Sequence, residues 1–183
     1  MNADLGLLVL RVAVGGVVLT HGLIKIGWPI SMGMRGMAAV RGTAGFFGNL
    51  GFWPPLFWAY VSIAAEIGGS LLMILGLGGP IGPGVVFGDM VVVTIVAHVP
   101  AGWWAGGGKQ AAGVEFPIPL VAGALALALI GNGAWSIDGL LGLVYSNSFT
   151  LVWLALMVVG DLALLAIRAR RQATAPQEPA AQS

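Results

Sequence analysis

Five stretches of the chain stay apolar for about the length of a membrane helix, at 5–27, 55–79, 83–100, 115–131 and 148–168. The polar positions collect in the short joints between them, and prolines mark the boundaries. Pro54 and Pro55 precede the second stretch, Pro80 and Pro83 lie at the joint with the third, and Pro100 closes the third. Pro117 and Pro119 stand in the first turn of the fourth, where a missing amide donor costs little. The fold class expected is therefore all-α: a transmembrane helical bundle. The first stretch has no basic leader and exceeds a signal-peptide core in length, so it is read as a retained span. The segment from Met32 to Trp53 is too charged and glycine-rich to cross. Its Phe46, Phe47, Phe52 and Trp53 predict a segment lying along the interface, in part as a short amphipathic helix. Residues 172–183 have no periodicity and predict a disordered tail, which leaves 1–171 as a single domain.

Basic residues orient the bundle, because lysine and arginine favour cytoplasmic loops. With the N-terminus outside, Lys25, Arg35, Arg41, Lys109, Arg168, Arg170 and Arg171 all fall inside, and no outer loop carries a basic residue. Only an odd number of spans keeps both the first loop and the C-terminal tail on that side.

Composition narrows the function classes. Charged residues make up 8% of the chain, against roughly 25% in a soluble domain, and the mean hydropathy is +0.95. A net charge of +1 offers no basic face for nucleic acid. Without cysteine there is no thiol–disulfide exchange, no thiolate metal site and no covalently attached haem. The glycine run at 106–108, followed by Lys109, lacks the spacing of a phosphate-binding loop.

Against this apolar background, charges at membrane depth mark candidate chemistry. Arg11 and Asp89 each lie about six residues inside their span, and Glu66 falls near the middle of the second. The expectation is that Arg11 pairs with Glu66 or Asp89. Such a pair either locks helix packing or, with two acids facing one base, leaves Glu66 able to carry a proton for a bound redox molecule. His21 and Lys25 are one helical turn apart, and His98 and Glu115 fall at a similar depth. These four predict a second polar group, able to hold a quinone or an anionic headgroup or simply to snorkel to water. A bis-histidine haem on His21 and His98 is disfavoured. Gly15, Gly16, Gly22, Gly68 and Gly69 are read as close helix contacts. Ser136 and Asp138 are read as a cap for a short helix over 137–144, and Asp161 as paired with Lys25, with an arginine or with a partner subunit.

The order of motifs resembles the DoxX family of small bacterial membrane proteins over about Leu7 to Leu141. Arg11, Gly15, His21, Gly22 and Lys25 are similar to the family's first helix, and Glu66-Ile67-Gly68-Gly69 with Leu75-Gly76 to its second. His98, Gly102 and Trp103 follow, then Gly113, Glu115 and Phe116, and finally Gly131-Asn132-Gly133-Ala134-Trp135-Ser136-Ile137-Asp138. Two family arginines are missing: Gly78, Gly79 and Pro80 replace a Thr-Arg pair, and Ala134 stands at the other position. The resemblance implies a four-helix core, to which this chain adds a fifth C-terminal helix, in the bacterial inner membrane. It also implies a membrane subunit of a quinone-linked oxidoreductase assembly, with a soluble or peripheral redox partner. Ligand-binding candidates are Arg11, His21, Lys25, Glu66, Asp89, His98 and Glu115, with Glu66 the proton-transfer candidate and quinone the expected cofactor. The alternative is a non-enzymatic carrier of small solutes or lipids, or a membrane scaffold; catalysis by this chain alone is left open.

Overall fold

The computed structural model describes residues 2–28, 33, 35–104 and 113–174, which form helices joined by turns and irregular connections. In chain order the helices are α1 (Asn2–Lys25), α2 (Met37–Asn49), α3 (Pro55–Leu75), α4 (Ile81–Ala101), α5 (Pro117–Ile130), α6 (Ile137–Leu141) and α7 (Asn147–Thr174). Four of them, α1, α3, α4 and α7, are long and apolar enough to cross a membrane. The protein is an integral membrane helical bundle.

Helix α1 shows how the sequence sets the packing. Its buried residues are Arg11, Val14, Gly15, Val18 and Gly22, spaced three or four apart, so a single stripe faces inward. Val14 and Val18 pack with Met73, Val86, Met90, Leu120, Ala124 and Leu127 in a core shared by α1, α3, α4 and α5. Within lipid, close contact of small residues replaces much of the hydrophobic driving force. A Cβ on Gly15 would lie 2.6 Å from Ile74, one on Gly22 2.7 Å from Ile67, and one on Gly82 2.8 Å from the Gly69 carbonyl oxygen. Gly69 is less tightly enclosed, a Cβ there lying 3.1 Å from Val85 and Val86, whereas Gly16 and Gly68 face open space and make no such contact.

Both α3 and α4 contain one wide turn with the hydrogen-bond spacing of a π-helix, at Ala65–Gly69 and Thr94–His98. Such turns inside α-helices often accompany functional positions. The amphipathic helix expected along the interface is α2. Its Ala44 and Phe47 join Phe52, Ala59, Val92 and Val96 in a second core, against which Leu164 and Leu165 of α7 also pack.

Three boundaries differ from the sequence reading. The second span ends at Leu75, where Gly76 takes a left-handed conformation at φ 63°. The fourth span is a 14-residue helix, about 21 Å long and short of the roughly 30 Å hydrocarbon layer. Contacts hold both of its flanks: Phe116 lies against His21, with ring centroids 6.2 Å apart, and the Ala134 amide donates to Asp4 at 2.7 Å. Finally, α7 continues through Thr174, so residues 172–174 are helix where a tail was expected; 175–183 lie outside the described residues. Only Leu154 of α7 is buried, so most of this helix lies on the outside of the bundle.

Candidate functional site

The expected pairing of Arg11 with Glu66 or Asp89 is not formed. Arg11 is 1% exposed, yet its Nη1 donates to the Ile74 carbonyl at 3.3 Å and its Nη2 to the Trp135 carbonyl. Register explains the difference. Because α1 and α3 run antiparallel, Glu66 lies opposite Gly22, and a Cβ there would come within 2.9 Å of the Glu66 Cβ. Arg11 is eleven residues from Gly22, about 16 Å along the helix and beyond the reach of its side chain. The same register carries Asp89 away, since Gly82 already packs against Met73 and Asp89 lies two turns further on.

Arg11 belongs instead to a latch at the Asp4 end of the bundle, centred on Asp138, with which it interacts electrostatically. The buried Asp138 carboxylate accepts from the Gly78 amide (3.0 Å), the Gly79 amide (2.7 Å), Asn132 Nδ2 (2.7 Å) and the Tyr145 hydroxyl (3.3 Å). Its own amide donates to the Gly76 carbonyl at 3.0 Å. Ser136 caps α6 as expected, accepting from the Gly139 amide at 2.9 Å, although the helix ends at Leu141 and not at Val144. Asp138 does more than cap, because it ties the turn after α3 to the chain following α5. Partial burial, then the neighbouring Asp138 carboxylate and the hydrogen bond to it, raise the Tyr145 phenol above its ordinary pKa. Asn132, Ser136, Asp138, Tyr145, Asn147 and Thr150 line an open cleft of about 390 Å³ beside the latch.

A second polar centre lies toward the Lys25 end. Lys25 Nζ is 2.6 Å from Glu66 Oε2 and donates to Ser62 Oγ at 2.7 Å. Ser62 and Glu66 are four residues apart, so one face of α3 presents both to the ammonium. Asp89 of α4 lies close enough to Ser62, Glu66, Lys25 and Asp161 to interact with them electrostatically. Asp161 of α7 faces α4, its carboxylate 3.4–3.5 Å from where a Gly88 Cβ would be. It acts on Asp89 electrostatically, and no pairing with Lys25 or an arginine is formed among the described residues. His21 is exposed at the rim, close enough to act electrostatically on Glu66.

The structure thus gathers Lys25, Glu66 and Asp89, with His21 beside them, and leaves Arg11 apart. His98 lies in the wide turn of α4, with Nδ1 3.3 Å from the Gly113 carbonyl oxygen, while the Glu115 amide donates to the Trp103 carbonyl at 3.1 Å. These two residues brace the start of α5 at the Lys25 end. Sequence reasoning missed Ser62 as a member of the cluster and missed Asn132 in the latch. The i, i+4 spacing of Ser62 and Glu66 was the available signal for the first. Chemically, the cluster offers one ammonium, one hydroxyl and several carboxyl groups within a water-poor interior, a set suited to hydrogen-bonding a carbonyl and exchanging protons with it.

Comparison with known proteins agrees with this architecture. The family model described as DoxX matches residues 6–99. A protein of Bacillus subtilis (strain 168) named "Putative oxidoreductase CatD" is 32% identical over 135 residues, covering 74% of this chain and 86% of that protein. No solved structure matches.

Proposed function

We propose, for a chain that belongs to the DoxX family, that it is the membrane-embedded subunit of a quinone-linked oxidoreductase assembly in the bacterial inner membrane, with its Lys25 end toward the cytoplasm. The oxidoreductase element is supported by the name of the Bacillus relative. The observation that carries the reading is the Lys25–Glu66 pair, half-buried on the Lys25 side and buried on the Glu66 side, held at 2.6 Å where α3 widens into its π turn.

The residues present fit a quinone headgroup. Lys25 and His21 supply donors for a carbonyl oxygen, and the carboxyl of Glu66 stands beside them to give or take a proton. Ser62 accepts from Lys25 and helps to hold it against Glu66, and Asp89 adds a second carboxyl nearby. His21 and Phe116, both exposed and adjacent, mark a route from the lipid to this centre. When bound, a quinone supplies two-electron, two-proton chemistry, which the side chains of a cysteine-free chain do not provide. A soluble or peripheral partner subunit would deliver the electrons.

The test is quinone content. Protein extracted in mild detergent should co-purify with close to one quinone per chain by solvent extraction and mass spectrometry. The Lys25→Met/Glu66→Gln variant should retain less than about a tenth of it, with unchanged helical circular dichroism. Quinone-free wild-type protein that instead shows solute counterflow in proteoliposomes would replace this reading with that of a carrier.

A further inference from the structure

We infer that the last turns of α7 and the aromatic turn at 50–53 together form a binding site for the phosphate of an anionic phospholipid. The inference is independent of the quinone reading.

The site is built around Leu50. Arg168 Nε donates to the Leu50 carbonyl at 2.5 Å, and Gln172 Nε2 approaches the same oxygen at 3.4 Å. The Arg168 guanidinium lies over the Phe52 ring at 5.7 Å from its centroid, and that of Arg171 over Trp53 at 6.0 Å. Gly51 makes the approach possible, because a Cβ there would come within 2.8 Å of the Gln172 side chain. Two guanidinium groups one turn apart are thus held by ring faces and a backbone carbonyl. Their positions are fixed before any ligand arrives, which lowers the entropic cost of binding.

What these groups lack is an anion. Among the described residues no carboxylate pairs with Arg168, Arg170 or Arg171. A guanidinium that donates through Nε keeps its Nη hydrogens in a planar fork that matches phosphate oxygens.

Depth selects a lipid over a soluble anion. The stretch of α7 from Leu151 to Ile167, apolar except at Asp161, spans about 25 Å, so Arg168 lies near the edge of the hydrocarbon layer. Arg171 stands one turn further out, at headgroup level. Trp53 is 61% exposed at the same level, as expected of an interfacial aromatic. Below the arginines, exposed Ile167 of α7 and Phe57 of α3 offer apolar surface for acyl chains. A lipid phosphate here would join α7 to the turn between α2 and α3, adding a contact for a helix that buries only Leu154.

The experiment titrates purified full-length protein in detergent with dioleoyl phosphatidylglycerol or dioleoyl phosphatidylcholine, read by native mass spectrometry and by thermal unfolding. Phosphatidylglycerol should bind at least about tenfold more tightly. Removing two arginines, as in Arg168→Gln/Arg171→Gln, should weaken it roughly thirtyfold. Arg170→Gln/Arg171→Gln leaves the Leu50 contact intact and should also lose most of the preference, so the test survives if the first variant misfolds. Equal binding of both lipids by the wild type, or an unchanged preference in a folded variant, overturns the inference. So does stabilisation by inorganic phosphate or glycerophosphate as large as that by the whole lipid.

Discussion

Replacing Lys25 by methionine isolates the electrostatics of the inner cluster. The substitution keeps the length and apolar character of the side chain while removing the ammonium that lies 2.6 Å from Glu66 and 2.7 Å from Ser62. Glu66 is 3% exposed, so it would be left as a buried carboxyl without its partner. Breaking a buried pair from one side costs about 3–5 kcal/mol. Lys25 retains 20% of its exposure, and solvent screening at that end favours the lower figure, about 3 kcal/mol. For a chain of this size that is a drop in melting temperature of roughly 6–12 °C. The assay is thermal unfolding in detergent, followed by circular dichroism and by static light scattering. The double variant Lys25→Met/Glu66→Gln removes both charges and should recover to within about 1 kcal/mol of wild type, because the liability is the unpaired charge and not the lost contact. A Lys25→Met protein that melts within 1 °C of wild type, or a double variant as unstable as the two single losses added together, would refute the reasoning.

Three further outcomes follow from the helix contacts and the latch. Gly22→Ala should separate α1 from α3 and lower the melting temperature by several degrees, while Gly16→Ala should change it by less than about a degree, since a Cβ meets Ile67 and Glu66 at the first position and nothing at the second; thermal unfolding of the pair checks this. Gly76→Ala should destabilise by roughly 1–3 kcal/mol, because a side chain is strained at φ 63° and would collide with the Arg11 guanidinium; denaturant titration measures it. The phenol of Tyr145 is raised above its ordinary value of 10.0, so its contribution is complete below about pH 10 and declines as pH rises through the higher folded value. Tyr145→Phe should lose that segment of the stability–pH curve, and ultraviolet absorbance titration should place its ionisation later than that of free tyrosine.

The helical positions were legible because hydrophobicity, proline placement and glycine turns all act locally. The second span could be assigned from composition and Pro55 alone, though it was read through residue 79 and ends at Leu75. Partner choice was harder, since it depends on the register between antiparallel helices. Arg11 and Glu66 both lie inside spans, and nothing local says that Glu66 faces Gly22 and that Arg11 faces Ile74. Backbone acceptors were invisible for the same reason: the arginine is held by two carbonyl oxygens, and any residue type can provide those. The grouping of Lys25 with His21 was readable from helical spacing, whereas Ser62 entered only once α3 was placed beside α1. Asp138 was legible as a residue in a turn but not as an acceptor for amides near residue 78, which requires α5 to return along the bundle.

The link between Arg11 and Trp135 joins residues 124 positions apart, and that separation constrains biosynthesis. At about 5–20 residues per second, a ribosome takes roughly 6–25 s to produce the acceptor after the arginine has emerged. During that interval the first helix must wait with a guanidinium whose placement at a helix centre costs about 2.5–3.5 kcal/mol on insertion scales. Its Nη1 partner, the Ile74 carbonyl, is made earlier, so the turn after α5 times the second of its two anchors. Nascent chains halted before residue 131 should hold this helix loosely enough to be extracted by carbonate, and chains halted after residue 142 should not.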